Sequence, residues 1–497
     1  MIGIVLVASS HGIWPMWGTD PLHEAVQTMP GAHSAGPVVK WFHRVNNQTQ
    51  WLFSATVDVD GDGSNEVIAG NFNGYVYCLA GSNGTVKWSF NAGGLVETSP
   101  AVADFDGDGI MEIIVGTWSG HLYCVRGSDG GLRWDKNTGG AYHAGPAIVD
   151  VDGDGQLEVI AHNGSNLYCV DGLTAATEWS ASLVSGSENS SPAVGDVDGD
   201  GQMEVIVGTV DYVRCFNGLT GALEWAYSGG GLDYPNSSPA IADCDGDGAL
   251  DVVIGCDQGA LGCISGTGAV KWVTNIGASI WSQPVVVDVD FDGAKDIIVG
   301  TFGGIVCVDA TQGTLKWQNN IGAVSVGIPV GDVDGDGRYE VVGGLGGSAV
   351  FCLNAEDGSL LWQISPPAPR VSTYIADVDM DGCVEIIGGS ASSSGGVMVF
   401  DDPGNSSGCG AASNDESADS SLAPSIRPTG QSIYLFMPTS AQVSLRLYDA
   451  QGRLVQRLYD GVLTSGGHTF NPALGSKGVY MAVLRYQGKT ITAKVIR

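Results

Sequence analysis

Eight times, at a spacing of 44 to 47 residues, the chain repeats an acidic loop followed by a β-branched run. The first copy is Asp58-Val59-Asp60-Gly61-Asp62-Gly63, then Glu66 and Val67-Ile68-Ala69-Gly70. The other copies begin at Asp104, Asp150, Asp196, Asp243, Asp288, Asp332 and Asp377. A unit this short cannot bury its own apolar faces. It must stack on its neighbours, so a period near 45 residues restricts the chain to a repeat architecture.

The loops carry a pattern of oxygen ligands. Positions 1, 3, 5, 7 and 9 are Asp58, Asp60, Asp62, Ser64 and Glu66 in the first copy, and Asp104, Asp106, Asp108, Ile110 and Glu112 in the second. The third and fourth hold Asp150, Asp152, Asp154, Gln156 and Glu158, then Asp196, Asp198, Asp200, Gln202 and Glu204. The fifth and sixth hold Asp243, Asp245, Asp247, Ala249 and Asp251, then Asp288, Asp290, Asp292, Ala294 and Asp296. The last two hold Asp332, Asp334, Asp336, Arg338 and Glu340, then Asp377, Asp379, Asp381, Cys383 and Glu385. Carboxylates at 1, 3 and 5 of a tight loop converge, and Gly at 6 permits the turn that brings the carbonyl of residue 7 inward. Ca²⁺ takes about six to eight such oxygens, so up to eight ions are expected. The EF-hand is excluded, because its closing acid stands at position 12, where this chain has Ala69 or Val115. Phe291 and Met380 replace Gly at position 4, which marks the loops at Asp288 and Asp377 as the weakest sites.

Charge points the same way. Four acids in each loop make up 32 of the 54 acidic residues. The other 22 nearly balance the 21 Lys and Arg, so the net charge of −33 belongs to the loops. Clustered carboxylates repel one another unless a cation sits between them. No basic patch exists to neutralise phosphates, which excludes nucleic acid as a partner. No apolar run reaches the roughly 18 residues of a membrane helix.

Each unit reads as four short strands. In the second, Ser99–Ala103 leads into the loop, Glu112–Gly116 is a strand apolar on both faces, and Leu122–Val125 and Leu132–Trp134 follow across turns. Four strands in about 45 residues make one propeller blade. A Trp marks the fourth strand at Trp88, Trp134, Trp179, Trp225, Trp272, Trp317 and Trp362, and a Cys the third at Cys78, Cys124, Cys169, Cys215, Cys263, Cys307 and Cys352. These read as packing residues. Cys256 and Cys263 flank one hairpin and are the one pair considered for a disulfide. The eighth repeat lacks a Trp strand, and Pro37–Trp41 is expected to supply it. The expected fold is all-β, an eight-bladed propeller over 36–402 followed by a small β-sandwich.

The acidic loop and the run after it resemble the calcium-binding FG-GAP/VCBS repeats of integrin α-subunits. That resemblance implies metal ligands at positions 1, 3, 5 and 9 plus the carbonyl at 7. The second half of each unit, as in Val76-Tyr77-Cys78-Leu79 and Gly84-Thr85-Val86-Lys87-Trp88, is similar to PQQ-type quinoprotein propellers. Those are eight-bladed and stack Trp between blades. Their quinone site contains a vicinal disulfide, and this chain has no Cys-Cys pair.

Residues 403–428 are rich in Ser, Asn, Asp, Gly and Ala and read as a flexible linker. Short β-patterns then cover 429–497. Tyr448-Asp449, Gly452-Arg453-Leu454-Val455, Gly467-His468 and Gly478-Val479-Tyr480 resemble the C-terminal sorting domain of type IX secretion substrates, a FlgD-like Ig module. That likeness implies a bacterial protein exported to the cell surface or medium by secretion machinery. At the other end, residues 1–35 include the apolar run Ile2–Ala8 and read as the remnant of a signal peptide.

No catalytic constellation, nucleophile motif or phosphate loop is present. The expected function is a non-enzymatic ligand-binding or adhesion module for an extracellular glycan or protein. The alternatives are a polysaccharide lyase of the rhamnogalacturonan-lyase kind and a quinone-dependent oxidoreductase. Aromatic residues that vary between repeats should face away from the acidic loops. Trp118, Tyr142, Tyr234 and Trp281 are the expected ligand-binding set.

Overall fold

The computed structural model describes residues 36–44, 54–401 and 425–496 apart from short internal stretches, together with the backbone of 13–14 and 26–27. The chain divides into two compact units, Met1–Cys409 and Gly410–Arg497. Most of the expected 1–35 segment, and residues 403–424 of the expected linker, lie outside the described residues.

Eight sheets, each built on four antiparallel strands, form the first unit among the described residues. They are numbered here by their acidic loops, from blade 1 at Asp58 to blade 8 at Asp377. In blade 2 the strands are Ala101–Ala103, Glu112–Gly116, His121–Arg126 and Leu132–Asn137. The second strand is buried throughout in every blade whose burial is described along its length, because sheet packs on both of its faces. The fourth strand alternates and faces solvent on one side. The first strands of successive blades approach one another and line the inner ring.

The expected ring closure is present. Val38–Arg44 pairs antiparallel with Gly396–Asp401, completing blade 8. Trp41 then packs with Val67 and Leu79 of blade 1 and Val378 and Val399 of blade 8 in one buried cluster. The N-terminal segment does more than its composition suggests. Ile13–Trp14 pairs with Val102–Ala103, and Val26–Gln27 runs parallel to Val330–Gly331. Each adds a fifth strand at the inner edge of a blade, blade 2 and blade 7.

The tryptophans join the blades. Each indole N–H donates to a carbonyl just after the third strand of the next blade: Trp41 to Gly81, Trp88 to Gly127, Trp134 to Gly172, Trp179 to Gly218, Trp225 to Gly266, Trp272 to Ala310 and Trp317 to Ala355. These bonds are 2.6–3.0 Å long. The ring then covers a left-handed turn residue of that blade. Gly221 has φ +68°, and a Cβ there would stand 2.5 Å from Trp179. In blade 3 the corresponding residue is Ala175, at φ 61°.

The cysteines are core residues, as their recurrence suggests. No disulfide joins Cys256 and Cys263. Cys263 instead lies within 4.8 Å of Cys244, the residue at loop position 2, where most other loops have Val. Cys383 is disulfide-bonded.

The second unit has two sheets. One contains Ser425–Thr429, Ser432–Met437 and Gly466–Phe470, and the other Ala441–Asp449, Leu454–Leu463, Val479–Tyr486 and Lys489–Ile496. Val443, Leu445, Leu447, Ala482 and Leu484 form its buried face at period two. The linker boundary expected at 428 is corrected, since Ser425–Thr429 is already paired with Ser432–Phe436. Its Pro and Ser content hides a strand whose partner is a hairpin away.

A residue with a Cβ in the left-handed region costs about 1–3 kcal/mol. Ala175→Gly should therefore raise stability by about 1 kcal/mol after the larger chain entropy of Gly is subtracted. Gly221→Ala should cost more than about 2 kcal/mol, since it adds both strain and a clash with Trp179. Urea unfolding of the two variants checks the pair.

Candidate metal centres and ligand face

All eight acidic loops join the first and second strands of their blade. One pattern of hydrogen bonds shapes them. In blade 1, both Asp58 carboxylate oxygens accept backbone N–H groups, from Gly61 at 2.7 Å and Gly63 at 2.9 Å. Asp60 Oδ1 accepts from Asp62 N, Asp62 Oδ1 from Ser64 N, and Glu66 Oε2 from Val59 N. Each acid at 3, 5 and 9 thus spends one oxygen on the loop and keeps the other free to converge. Phe291 and Met380 take φ 58° and 63°, the left-handed conformation that Gly61 adopts at 74°. Position 4 therefore keeps its conformation without glycine.

A residue that the sequence reading passed over faces this convergence point. In every blade the third and fourth strands slip register by one residue. In blade 1, Cys78 pairs with Trp88 and Leu79 with Val86. The extra residue, just before the Trp, is a β-bulge, and bulges re-aim side chains. It is Lys40, Lys87, Arg133, Lys271 or Lys316 in five blades, Glu178 and Glu224 in blades 3 and 4, and Leu361 in blade 7.

The cations lie among the loop acids. Lys87 Nζ is 2.6 Å from Asp60, 2.8 Å from Asp62 and 2.8 Å from Glu66. Arg133 reaches Asp106 and Glu112 at 2.9 and 2.7 Å. Lys271 reaches Asp245 and Asp251 at 2.7 and 2.8 Å, and Lys316 reaches Asp290 and Asp296 at 2.8 and 2.9 Å. Lys40 reaches Asp379 at 2.5 Å and Asp401 at 2.8 Å. Burial alone would lower the Lys87 pKa, but its bonds to three carboxylates raise it well above the usual lysine value.

Blades 3 and 4 have no such cation among the described residues. Burial pushes Glu158 and Glu204 up to about 8, and the loop aspartates add to the shift. Position 9 in blade 7, Glu340, is pushed up to about 9, again mainly by burial. Held above the ordinary carboxylate value of 4.5, Glu158 and Glu204 contribute stability that is complete below that pH and lost as pH rises through about 8. In metal-free buffer the melting temperature should fall between about pH 5 and pH 8.5. Millimolar Ca²⁺ should remove that fall by taking the place of the protons, as differential scanning calorimetry would show.

The opposite face carries the variable aromatic residues. Tyr234, Asp257, Gln258, Ser279, Trp281 and Phe302 line a cavity of about 530 Å³ across blades 5 and 6. Trp281 and Phe302 meet edge to face at 5.0 Å, and Trp281 donates its indole N–H to Asp257. Ser279 Oγ fixes the same turn through the Asp257 carbonyl. Tyr234 is held at φ 58° and is 49 % exposed. Tyr234 and Trp281, expected on this face, line one cavity, and Phe302 joins them there. Trp118 belongs to a second cluster, 6.0 Å from Phe72 and 4.7 Å from His143, with Glu97 accepting from both Trp118 and His143. Tyr142 is corrected. It is 1 % exposed, its hydroxyl accepts from Thr138, and it belongs to the core beneath the loops.

The fold and the repeated units define an eight-bladed propeller of PQQ-like repeats. Residues 119–334 and 301–401 match the family described as outer membrane protein assembly factor BamB, and the chain belongs to that family. Residues 58–115 match the FG-GAP-like repeat. BamB from Moraxella catarrhalis is similar at 18 % identity and TM-score 0.53, over 74 % of this chain and 99 % of that one. Quinohemoprotein alcohol dehydrogenase from Comamonas testosteroni aligns at 13 % identity and TM-score 0.56, over 78 % and 80 %. A europium-containing methanol dehydrogenase aligns at 12 % identity and TM-score 0.60, over 78 % and 90 %. At these identities the likeness is one of fold. No curated protein matches the chain. No helix among the described residues is long and apolar enough to cross a membrane.

Proposed function

We propose that the chain is a calcium-binding propeller of the bacterial cell surface or medium that binds an extracellular glycan or protein without transforming it. The observation that carries this reading is the pocket of Tyr234, Trp281 and Phe302. Three exposed aromatic faces beside a carboxylate and an amide suit the alternating apolar and polar faces of a sugar, or a peptide side chain. The pocket lies on the face away from the acidic loops, so binding and metal-dependent stability are separable. Family membership supports a ring that assembles with other molecules, since BamB is by description an assembly factor. The disulfide at Cys383 supports an oxidising, exported location. The C-terminal β-sandwich supports its likeness to a type IX sorting domain, which would hand the chain to secretion machinery.

Glycan and peptide arrays probed with the full chain, with and without Ca²⁺, test this reading. Trp281→Ala with Phe302→Ala should abolish capture and leave the calcium-dependent melting shift unchanged. Capture that survives the double substitution would move the ligand elsewhere. A reporter fused to residues 403–497 behind a signal peptide should reach the surface in a type IX host; retention in the periplasm would remove the sorting role.

A second reading, a quinone-dependent oxidoreductase, is favoured by the likeness to the two dehydrogenases. Alcohol-dependent dye reduction after addition of the quinone would establish it in place of the first.

A further inference from the structure

The residue in the β-bulge divides the acidic loops into two chemical kinds. In blade 1 the Lys87 ammonium sits 2.6–2.8 Å from the inward oxygens of positions 3, 5 and 9. Those oxygens would have to surround a Ca²⁺ at about 2.3–2.6 Å. One point cannot hold both a metal and an ammonium, and two like charges there would repel strongly. Arg133, Lys271, Lys316 and Lys40 likewise reach acids of their own loops. These five blades carry their counter-ion on the chain.

Blades 3 and 4 invert this arrangement. Their loops, Asp150 to Glu158 and Asp196 to Glu204, are identical except at position 8. The bulge places Glu178 or Glu224 at the position where five other blades have a cation, and Glu224 Oε1 accepts from Asn217 Nδ2 at 3.0 Å. Each of these glutamates lies against the third-strand cysteine, Cys169 Sγ at 3.2 Å and Cys215 Sγ at 3.8 Å. In blade 4, Glu204 is 0 % exposed; its Oε2 accepts from Val197 N, and its Oε1 has no hydrogen-bond partner. Asp251, Asp290 and Glu385 also have one oxygen without a hydrogen-bond partner, but each has Lys271, Lys316 or Lys40 beside its carboxylate. Glu204 has no basic side chain there among the described residues, so its charge must be met by a proton or a bound cation.

The geometry points to the loops of blades 3 and 4 as the calcium sites of this ring, with the bulge residue selecting between metal and internal ammonium. This rests on the calcium reading above and narrows it from eight loops to particular ones. Glu178 and Glu224 are thereby added as ligands that loop spacing does not reveal. Blade 7, where Leu361 brings no charge, lies outside the proposal.

Metal analysis of the full chain after dialysis against millimolar Ca²⁺ tests it. Glu178→Lys and Glu224→Lys should each remove one bound ion, and the double variant two. Lys87→Glu should add one. Glu178→Gln, which keeps the shape without the charge, should weaken that site by about tenfold and serves if the lysine variant fails to fold. A wild type holding eight ions would overturn this selection and leave the calcium reading standing. Glu→Lys variants that keep every ion would also overturn it. A wild type that binds none would remove the calcium reading and this inference together.

Discussion

The ring depends on the clasp between each tryptophan and the next blade. One indole N–H satisfies a carbonyl, and one indole face covers a left-handed turn residue, as Trp179 does with Gly218 and Gly221. No blade can make this contact by itself. Each blade therefore derives its stability from its neighbours, and the chain must close. Closure is achieved by lending the first long strand, Val38–Arg44, to the last blade, so that Trp41 clasps blade 1. A buried carbonyl left without its donor costs about 1–3 kcal/mol, and at least seven such bonds run around the ring.

The acidic loops are tied into the same seam. Asn65 in the first loop donates to the carbonyl of Asp377 in the last, and Met111 N donates to Val59 O one blade back. Whatever neutralises a loop therefore also holds a blade junction. The β-bulge serves both purposes at once. It sets the Trp opposite the buried Cys and turns the preceding residue toward the acids. A single position thus decides whether the carboxylates of a loop meet an ammonium or another carboxylate.

Backbone bonds also join the blades on the other face, as from Trp118 N to Leu95 O and from Phe302 N to Ser279 O, but the side chains there vary. The loops there differ between blades, and two separate aromatic clusters have formed, one around Trp118 and Glu97 and one around Trp281 and Asp257. Both use an acid to hold an indole, leaving the aromatic faces exposed. Loops carried on a rigid ring can diversify without cost to the core.

The eight blades, the strand that closes them, the acidic loops and the core role of the cysteines were all legible in the sequence, because each recurs at a fixed place in the repeat. Periodicity reports what every unit must do. It is silent about what a unit does alone. That Tyr142 is core while Tyr234 is exposed depends on how deeply each loop descends between blades. The strands at Ile13–Trp14 and Val26–Gln27 depend on vacant edges at the centre of a ring that forms from residues hundreds of positions away. The pairing of lysines with loop acids was present in the sequence as a basic residue before five tryptophans. It became visible only once the bulge turned that residue inward, since side-chain direction at a bulge is set by the partner strand and not by local pattern.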